Sequence, residues 1–150
     1  MIIKKITFDE IFPIWKNYLW KGRISTIKPT SGLKLNEGYD KQIEEYTPTF
    51  FGAFIGDECI GVNSGHATSE SDYRSRGIYV FPKHRRKGIA QQLFKAVENQ
   101  CRLENIYILW SMPRESALLA YKKYGFIVIS EMFNDMEFGP NCFVMKLLES

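Results

Sequence analysis

The sequence predicts an α/β (α+β) fold, a mixed and mostly antiparallel sheet of about six to seven strands with helices on both faces. Three observations predict it. Short apolar runs bounded by Gly, Pro, Asp and Asn are interleaved with longer stretches whose apolar residues recur at helical spacing. These elements run in the order strand, helix, short helix, three strands, helix, strand, helix, two strands. The chain has 150 residues, 45% hydrophobic and 25% charged. That is an ordinary globular composition for one domain over residues 1–150, able to bury roughly 69% of the surface of the extended chain.

Residues 2–7 read as a short strand. In 8–20 the apolar residues fall at 8, 11, 12, 15, 18 and 19, a helical stripe that Asp9 can cap. Residues 21–38 are rich in Lys, Ser, Thr and Gly and read as a loop, and 39–46 as a short helix stopped before Pro48. A hairpin follows: 49–55, a turn at Gly56-Asp57-Glu58, and 59–68. After a polar turn, 73–81 is a third strand ending at Pro82. The stripe Ile89, Leu93, Val97, Cys101 predicts a helix over 87–104. Residues 106–110 are a strand, and 114–124 a helix with Pro113 near its first turn and Gly125 at its stop. Residues 126–133 and 141–147 are the last two strands, joined by 134–140.

No apolar run approaches the roughly 20 residues of a membrane span, and the start, Met1-Ile2-Ile3-Lys4-Lys5, is not that of a signal peptide. Cys59, Cys101 and Cys142 lie far apart, with no Cys/His cluster. These features predict a reduced, cytoplasmic protein with no metal site. Net charge is 20 − 17 = +3, unevenly spread. Residues 73–97 hold seven basic residues (Arg74, Arg76, Lys83, Arg85, Arg86, Lys87 and Lys95) and no acid. The middle of the chain expects an anion.

The sharpest local signal is Ile78-Tyr79-Val80-Phe81-Pro82-Lys83-His84-Arg85-Arg86-Lys87-Gly88-Ile89-Ala90. A helix start offers unpaired N–H groups and a positive dipole end, and small residues at 88 and 90 let an anion approach the backbone. Gly-x-x-x-x-Gly-Lys and Gly-x-Gly-x-x-Gly are both absent. The second signal is Ala117-x-x-x-Tyr121-x-x-x-Gly125-Phe126, a helix with an aromatic near its end and Gly-Phe entering a strand. Each half has a bland reading as well, a solvated basic turn and a tyrosine packed in a core.

The two together, Val80-x-Pro82-x-x-Arg85-x-x-Gly88-x-Ala90 followed 27 residues on by Ala117-x-x-x-Tyr121, resemble the Gcn5-related N-acetyltransferase (GNAT) family. The resemblance implies an acetyl-CoA-dependent N-acetyltransferase acting on a primary amine by direct attack in a ternary complex. It implies that Ile78, Tyr79 and Val80 hold the pantetheine arm by their backbone. Arg85, Arg86, Lys87, Gly88, Ile89, Ala90 and Gln91 would hold the pyrophosphate, with Arg114 and Ser116 facing the cofactor. Tyr121 would protonate the departing thiolate, and the Val80 amide would stabilise the oxyanion. Where many relatives carry a Glu on the strand before the cradle, this chain has Arg74. The base is then His66, in phase with Ile60, Val62 and Ser64, or a chain of water molecules. No cysteine lies in either motif, so no acyl-enzyme is expected. A homodimer is an assembly the family often forms.

Arg74 and Arg76 leave the same sheet face. They read either as a solvated pair balanced by Glu70 or Asp72, or as a clamp for a substrate carboxylate or phosphate. The resemblance places acceptor contacts in 20–46 and 131–140. There Asp40, Glu44, Glu45, Asp135 and Glu137 beside Tyr39, Tyr46, Phe133 and Phe138 suit a cationic amine. His84, flanking the cradle, reads as a surface residue or a phosphate contact. Two alternatives stand beside the enzyme. One is an acyl-CoA sensor without catalysis. The other is a nucleic-acid module that stacks bases on Tyr73, Tyr79 and Phe81, which the low net charge disfavours.

Overall fold

A computed structural model describes every residue except 37, 135 and 150. In chain order, β1 (Ile2–Ile6) is followed by α1 (Phe8–Ile14) and a π-turn (Trp15–Leu19). β2 (Leu33–Lys34) and β3 (Gly38–Tyr39) form a small hairpin apart from the main sheet, and a 3-10 turn (Lys41–Glu45) follows. Then come β4 (Thr49–Ile55), β5 (Glu58–Ala67), β6 (Asp72–Val80), α2 (Ile89–Leu103), β7 (Ile108–Ser111), α3 (Leu118–Tyr124), β8 (Ile127–Val128) and β9 (Val144–Leu147). The seven-stranded sheet has the order β1-β4-β5-β6-β7-β9-β8. Every pairing is antiparallel except β6 with β7.

Alternation along the strands sorts the core into two layers. Phe51 and Ile60 face α2 and α3, where they meet Leu93, Phe94, Val97, Tyr121 and Phe126. Phe50 and Val62 face the other way, onto Ile11 and Trp15. The α2 stripe read from the sequence is the buried one: Ile89, Leu93, Val97 and Cys101. The helices therefore cover both faces of a mostly antiparallel sheet, as the pattern predicts.

Several local expectations are corrected. The first helix is capped by Thr7, not Asp9. The Thr7 hydroxyl accepts the Glu10 amide at 3.2 Å and the Glu10 carboxylate accepts the Thr7 amide at 3.0 Å, a capping box written in the sequence as Thr7-x-x-Glu10. The helix does not run as α to Trp20. Its last turn widens, and the Trp20 amide reaches back five residues to the Trp15 carbonyl at 2.7 Å. That turn stacks Trp15 and Trp20 with ring centroids 4.9 Å apart, which 3.6-residue periodicity does not anticipate. The last two strands are shorter than the apolar runs suggest, because Phe133 meets Asn141 only through an isolated bridge. Cys59, Cys101 and Cys142 are free thiols. No helix among the described residues is long and apolar enough to cross a membrane.

Glu98, almost fully buried on α2, ties the α2 and α3 layer together. It accepts from Tyr124 Oη at 2.7 Å, Lys146 Nζ at 2.9 Å and Lys95 Nζ at 3.2 Å, joining α2, α3 and β9. Burial pushes its carboxyl up, but bonds from Lys146, Tyr124 and Lys95 more than offset this and hold it at about 2. A carboxyl held below its ordinary value contributes stability that is full above about pH 4.5 and fades as pH falls towards 2. Glu98→Gln should cost about 1–3 kcal/mol at pH 7, and chemical denaturation from pH 7 down to 2 should show its acid loss of stability flattened relative to the parent.

Candidate active site

The site begins where two parallel strands part. β6 and β7 pair only through Asp72, Tyr73 and Arg74 against Ile108, Leu109 and Trp110. β7 ends one residue later at Ser111, whose hydroxyl donates to the Ser75 carbonyl at 2.7 Å and closes the base of the gap. β6 runs on without β7 to Val80, still paired with β5 on its other side. It is turned away by a bulge: Arg76 pairs with Ser64 and Tyr79 with Val62, so Gly77 and Ile78 together oppose Asn63. Gly77 has φ +82°, and a Cβ there would lie 2.5 Å from the Trp15 ring. The Trp15 indole N–H donates to the Gly77 carbonyl at 2.8 Å, and Ser64 Oγ donates to the Arg76 carbonyl at 2.6 Å.

A cavity of about 190 Å³ enters this gap. Arg74, Arg76, Ile78, Ser111, Arg114 and Tyr121 are among its walls. Tyr121 reaches it from the α3 side, and the strand alternation brings Arg74 and Arg76 from the opposite side of the sheet. Burial pushes the Tyr121 phenol up, and Ser111, Arg74 and Arg114 offset part of that rise. The phenol is therefore a proton holder across the neutral range.

Beyond the cavity, β6 offers its open edge. The Phe81 amide donates to the Ile60 carbonyl at 3.0 Å, so alternation turns the Val80 N–H away from β5 and into the gap. Arg85 Nε fixes the strand end by donating to the Val80 carbonyl at 2.8 Å, its guanidinium lying 5.3 Å from the Tyr79 ring centroid. The turn 85–88 contains two left-handed residues, Arg86 (φ 64°) and Gly88 (φ 79°). Gly88 opens α2 with no side-chain cap. The amides of Ile89, Ala90 and Gln91 consequently have no acceptor among the described residues and point out at the helix's positive end. Arg86 and Lys87 are exposed beside them, Ile89 is buried, and Gln91 Nε2 donates to the Ala120 carbonyl at 3.2 Å, linking α2 to α3.

Arg114 lines the cavity, with its guanidinium 4.8 Å from the Phe138 ring centroid and donating to the Leu19 carbonyl. Ser116 is exposed on a 3-10 turn (Glu115–Ala117) and does not line the cavity. His66 is corrected. It is fully buried and outside the cavity, its Nδ1–H donating to the Ala67 carbonyl at 3.0 Å and its Nε2 accepting the Ser31 amide at 3.3 Å. Burial, with Arg74 and Arg76 nearby, pushes it down to about 3. Both nitrogens are engaged, so it supports the Ser31 backbone instead of facing a substrate.

The solvated reading of Arg74 and Arg76 is also overturned. Both are buried, and neither pairs with Glu70 or Asp72. Tyr73 is buried too, its phenol donating to Glu104 at 2.8 Å, which removes it and the two arginines from any base-stacking face. His84 is buried, 3.9 Å from a Glu58 carboxylate oxygen. Three of the expected acids are engaged within the protein. Glu44 pairs with Lys28 at 2.8 Å, and Asp40 Oδ1 accepts the Gln42 amide at 2.9 Å. Glu137 binds the Ile24 amide at 2.7 Å and the Ser25 hydroxyl. Asp135 lies outside the described residues.

Residues 16–126, well over half of the chain, match the model of the acetyltransferase (GNAT) family. The chain belongs to that family. No curated protein sequence matches it. Among solved structures it is similar to Ard1 of Thermoplasma volcanium (24% identity, 67% of this chain and 71% of that one, TM-score 0.60). It is also similar to smu.2055 of Streptococcus mutans (20%, 99% and 100%, 0.66). A third is a GNAT family acetyltransferase of Elizabethkingia anophelis solved with acetyl-CoA bound (18%, 98% and 97%, 0.60). At these identities the likeness is one of fold, and it extends the shared architecture over nearly the whole GNAT chain. Acetyl-CoA is the typical co-substrate of the family.

The bulge makes a specific demand on residue 77. Gly77→Ala should lower stability by about 3 kcal/mol, combining the left-handed backbone with the clash against Trp15. Thermal unfolding should fall by about 6–12 °C.

Proposed function

We propose that this GNAT domain transfers an acetyl group from acetyl-CoA directly to a primary amine held in the cavity between β6 and β7. The observation that carries the reading is an open strand edge that leads from the cavity, where a buried phenol stands, to an uncapped helix start. The residues present fit the co-substrate: the free amides of Ile89, Ala90 and Gln91 and the small residues Gly88 and Ala90 suit a pyrophosphate, and the edge of Ile78 and Val80 suits an extended amide-bearing arm. When bound, acetyl-CoA supplies an activated acyl group as a thioester.

The chain's own residues then do three things. The Val80 N–H, facing the gap, donates to the acyl oxygen as charge gathers there. Tyr121 Oη gives its proton to the departing sulfur, and the proton that the amine sheds as the amide forms passes through water to the tyrosinate, so that the phenol is restored. Trp20, Met112 and Phe138 give the cavity an apolar stretch of wall. His66 has no part in proton transfer in this reading. No cysteine lies in the cavity wall, in keeping with direct transfer rather than an acyl-enzyme.

Tyr121→Phe tests the acid. The variant should bind acetyl-CoA as the parent does by calorimetry and lose about 100-fold in kcat. An unchanged kcat removes Tyr121 from the mechanism. Gly88→Asp tests the cradle. A carboxylate at the start of α2 should weaken acetyl-CoA at least tenfold, with little effect on KM for the amine. Equal affinity in parent and variant would move the pyrophosphate elsewhere.

A further inference from the structure

The cavity is unusual in its charge. Four arginines line it, Arg23, Arg74, Arg76 and Arg114, against a single carboxylate among the described residues, Glu137. That carboxylate is already engaged by Ile24 N, Ser25 Oγ and, at 3.9 Å, Arg23. Arg114 and Arg23 each spend donors on the protein, Arg114 on the Leu19 carbonyl and Arg23 on Ser25 Oγ at 2.9 Å. Arg76 spends one, on the Lys28 carbonyl at 2.8 Å, and its guanidinium lies 5.1 Å from the centroids of both Trp15 and Trp20.

Arg74 is different. It is 7% exposed, its Nε has no hydrogen-bond partner, and no carboxylate pairs with it among the described residues. The Trp110 ring centroid lies 5.1 Å from its guanidinium carbon. A buried guanidinium without an anion is costly. Burial depresses its pKa to about 10, with Tyr121 opposing the shift and Arg23 adding a lesser contribution to it. Arg74 thus holds unused donors in a positive cavity. Such a cavity repels a simple ammonium and attracts an anion.

We propose that the acceptor carries a carboxylate beside its amine, as an amino acid does, and that Arg74 and Arg76 bind that carboxylate. Two guanidiniums two residues apart on one strand present planar donor edges on one face, about 7 Å apart along the backbone. A flat, two-oxygen anion matches such edges. The cavity volume of about 190 Å³ suits a molecule of amino-acid size. With its carboxylate on the arginines, the amine of such an acceptor is carried towards Ile78 and Tyr121, given the acetyl transfer proposed above.

The test reads binding and turnover separately. Calorimetry with coenzyme A present compares amino acids with the amines left when the α-carboxylate is removed, and O-phosphoethanolamine with ethanolamine. The amino acids should bind at least tenfold more tightly than their decarboxylated partners. That preference should vanish in Arg74→Gln and Arg76→Gln and survive in part in Arg74→Lys, with acetyl-CoA affinity unaltered in all three. Arg74→Met, which removes a buried unpaired charge, should unfold at the same temperature as the parent or higher, so loss of binding there is not loss of folding. Decarboxylated amines binding equally well, a preference for the phosphate-bearing amine, or indifference to the substitutions would each overturn the assignment. Thiol release from acetyl-CoA is followed in parallel. Carboxylate-dependent binding without acetyl transfer to any bound amino acid would leave the arginine site standing and sink the acetyltransferase reading.

Discussion

The hydrogen bond from the Trp15 indole to the Gly77 carbonyl stands at the point where β6 leaves regular pairing, and most of the functional geometry depends on it. The bulge it braces swings the second half of β6 away from β7. Because that half is unpaired on one side, its backbone keeps donors and acceptors for a ligand where an ordinary sheet would have used them. From Trp15 onward the chain closes in a wide turn instead of continuing as a straight helix, which brings Trp20 over Trp15. The wide turn, the left-handed glycine and the open strand edge therefore form one arrangement. None of the three would be useful without the others.

The two layers of the fold contribute different chemistry to the same opening. The layer of α2 and α3 supplies the uncapped helix start and the phenol, and Glu98 holds these helices and β9 in fixed relation. The opposite layer supplies guanidiniums stacked on indole rings. Guanidiniums tolerate such a place better than ammoniums, being planar and weakly hydrated. A parting sheet is what allows residues from opposite faces to meet, since in a continuous sheet Tyr121 and Arg74 would be screened from each other by backbone.

Much of this was legible in the sequence. The element order, the buried stripe of α2, the small-residue turn before it and Tyr121 on α3 all follow from spacing, because helix periodicity and turn chemistry are local. Residues whose roles depend on distant partners were not legible. His66 alternates correctly for a strand and gives no sign that Ser31 and Ala67 occupy both its nitrogens. Arg74 and Arg76 look like a solvated pair until Trp15, Trp20 and Trp110 are seen to cover them. The acids of 40–45 read as a cationic-amine site because composition does not reveal that Lys28 neutralises one of them and a turn consumes another. Thr7-x-x-Glu10 is the exception, a capping box plain in the sequence that the choice of Asp9 overlooked.

The placement of the tryptophans has a practical side. The chain contains three, Trp15, Trp20 and Trp110, and each has an arginine guanidinium of the cavity 5.1 Å from its ring centroid. All the indole fluorescence of the protein therefore originates at or just behind the wall of one chamber, Trp20 lining it and Trp15 and Trp110 lying against arginines that do. The protein carries its own optical gauge of occupancy, and needs no label for the chamber to be watched as it fills.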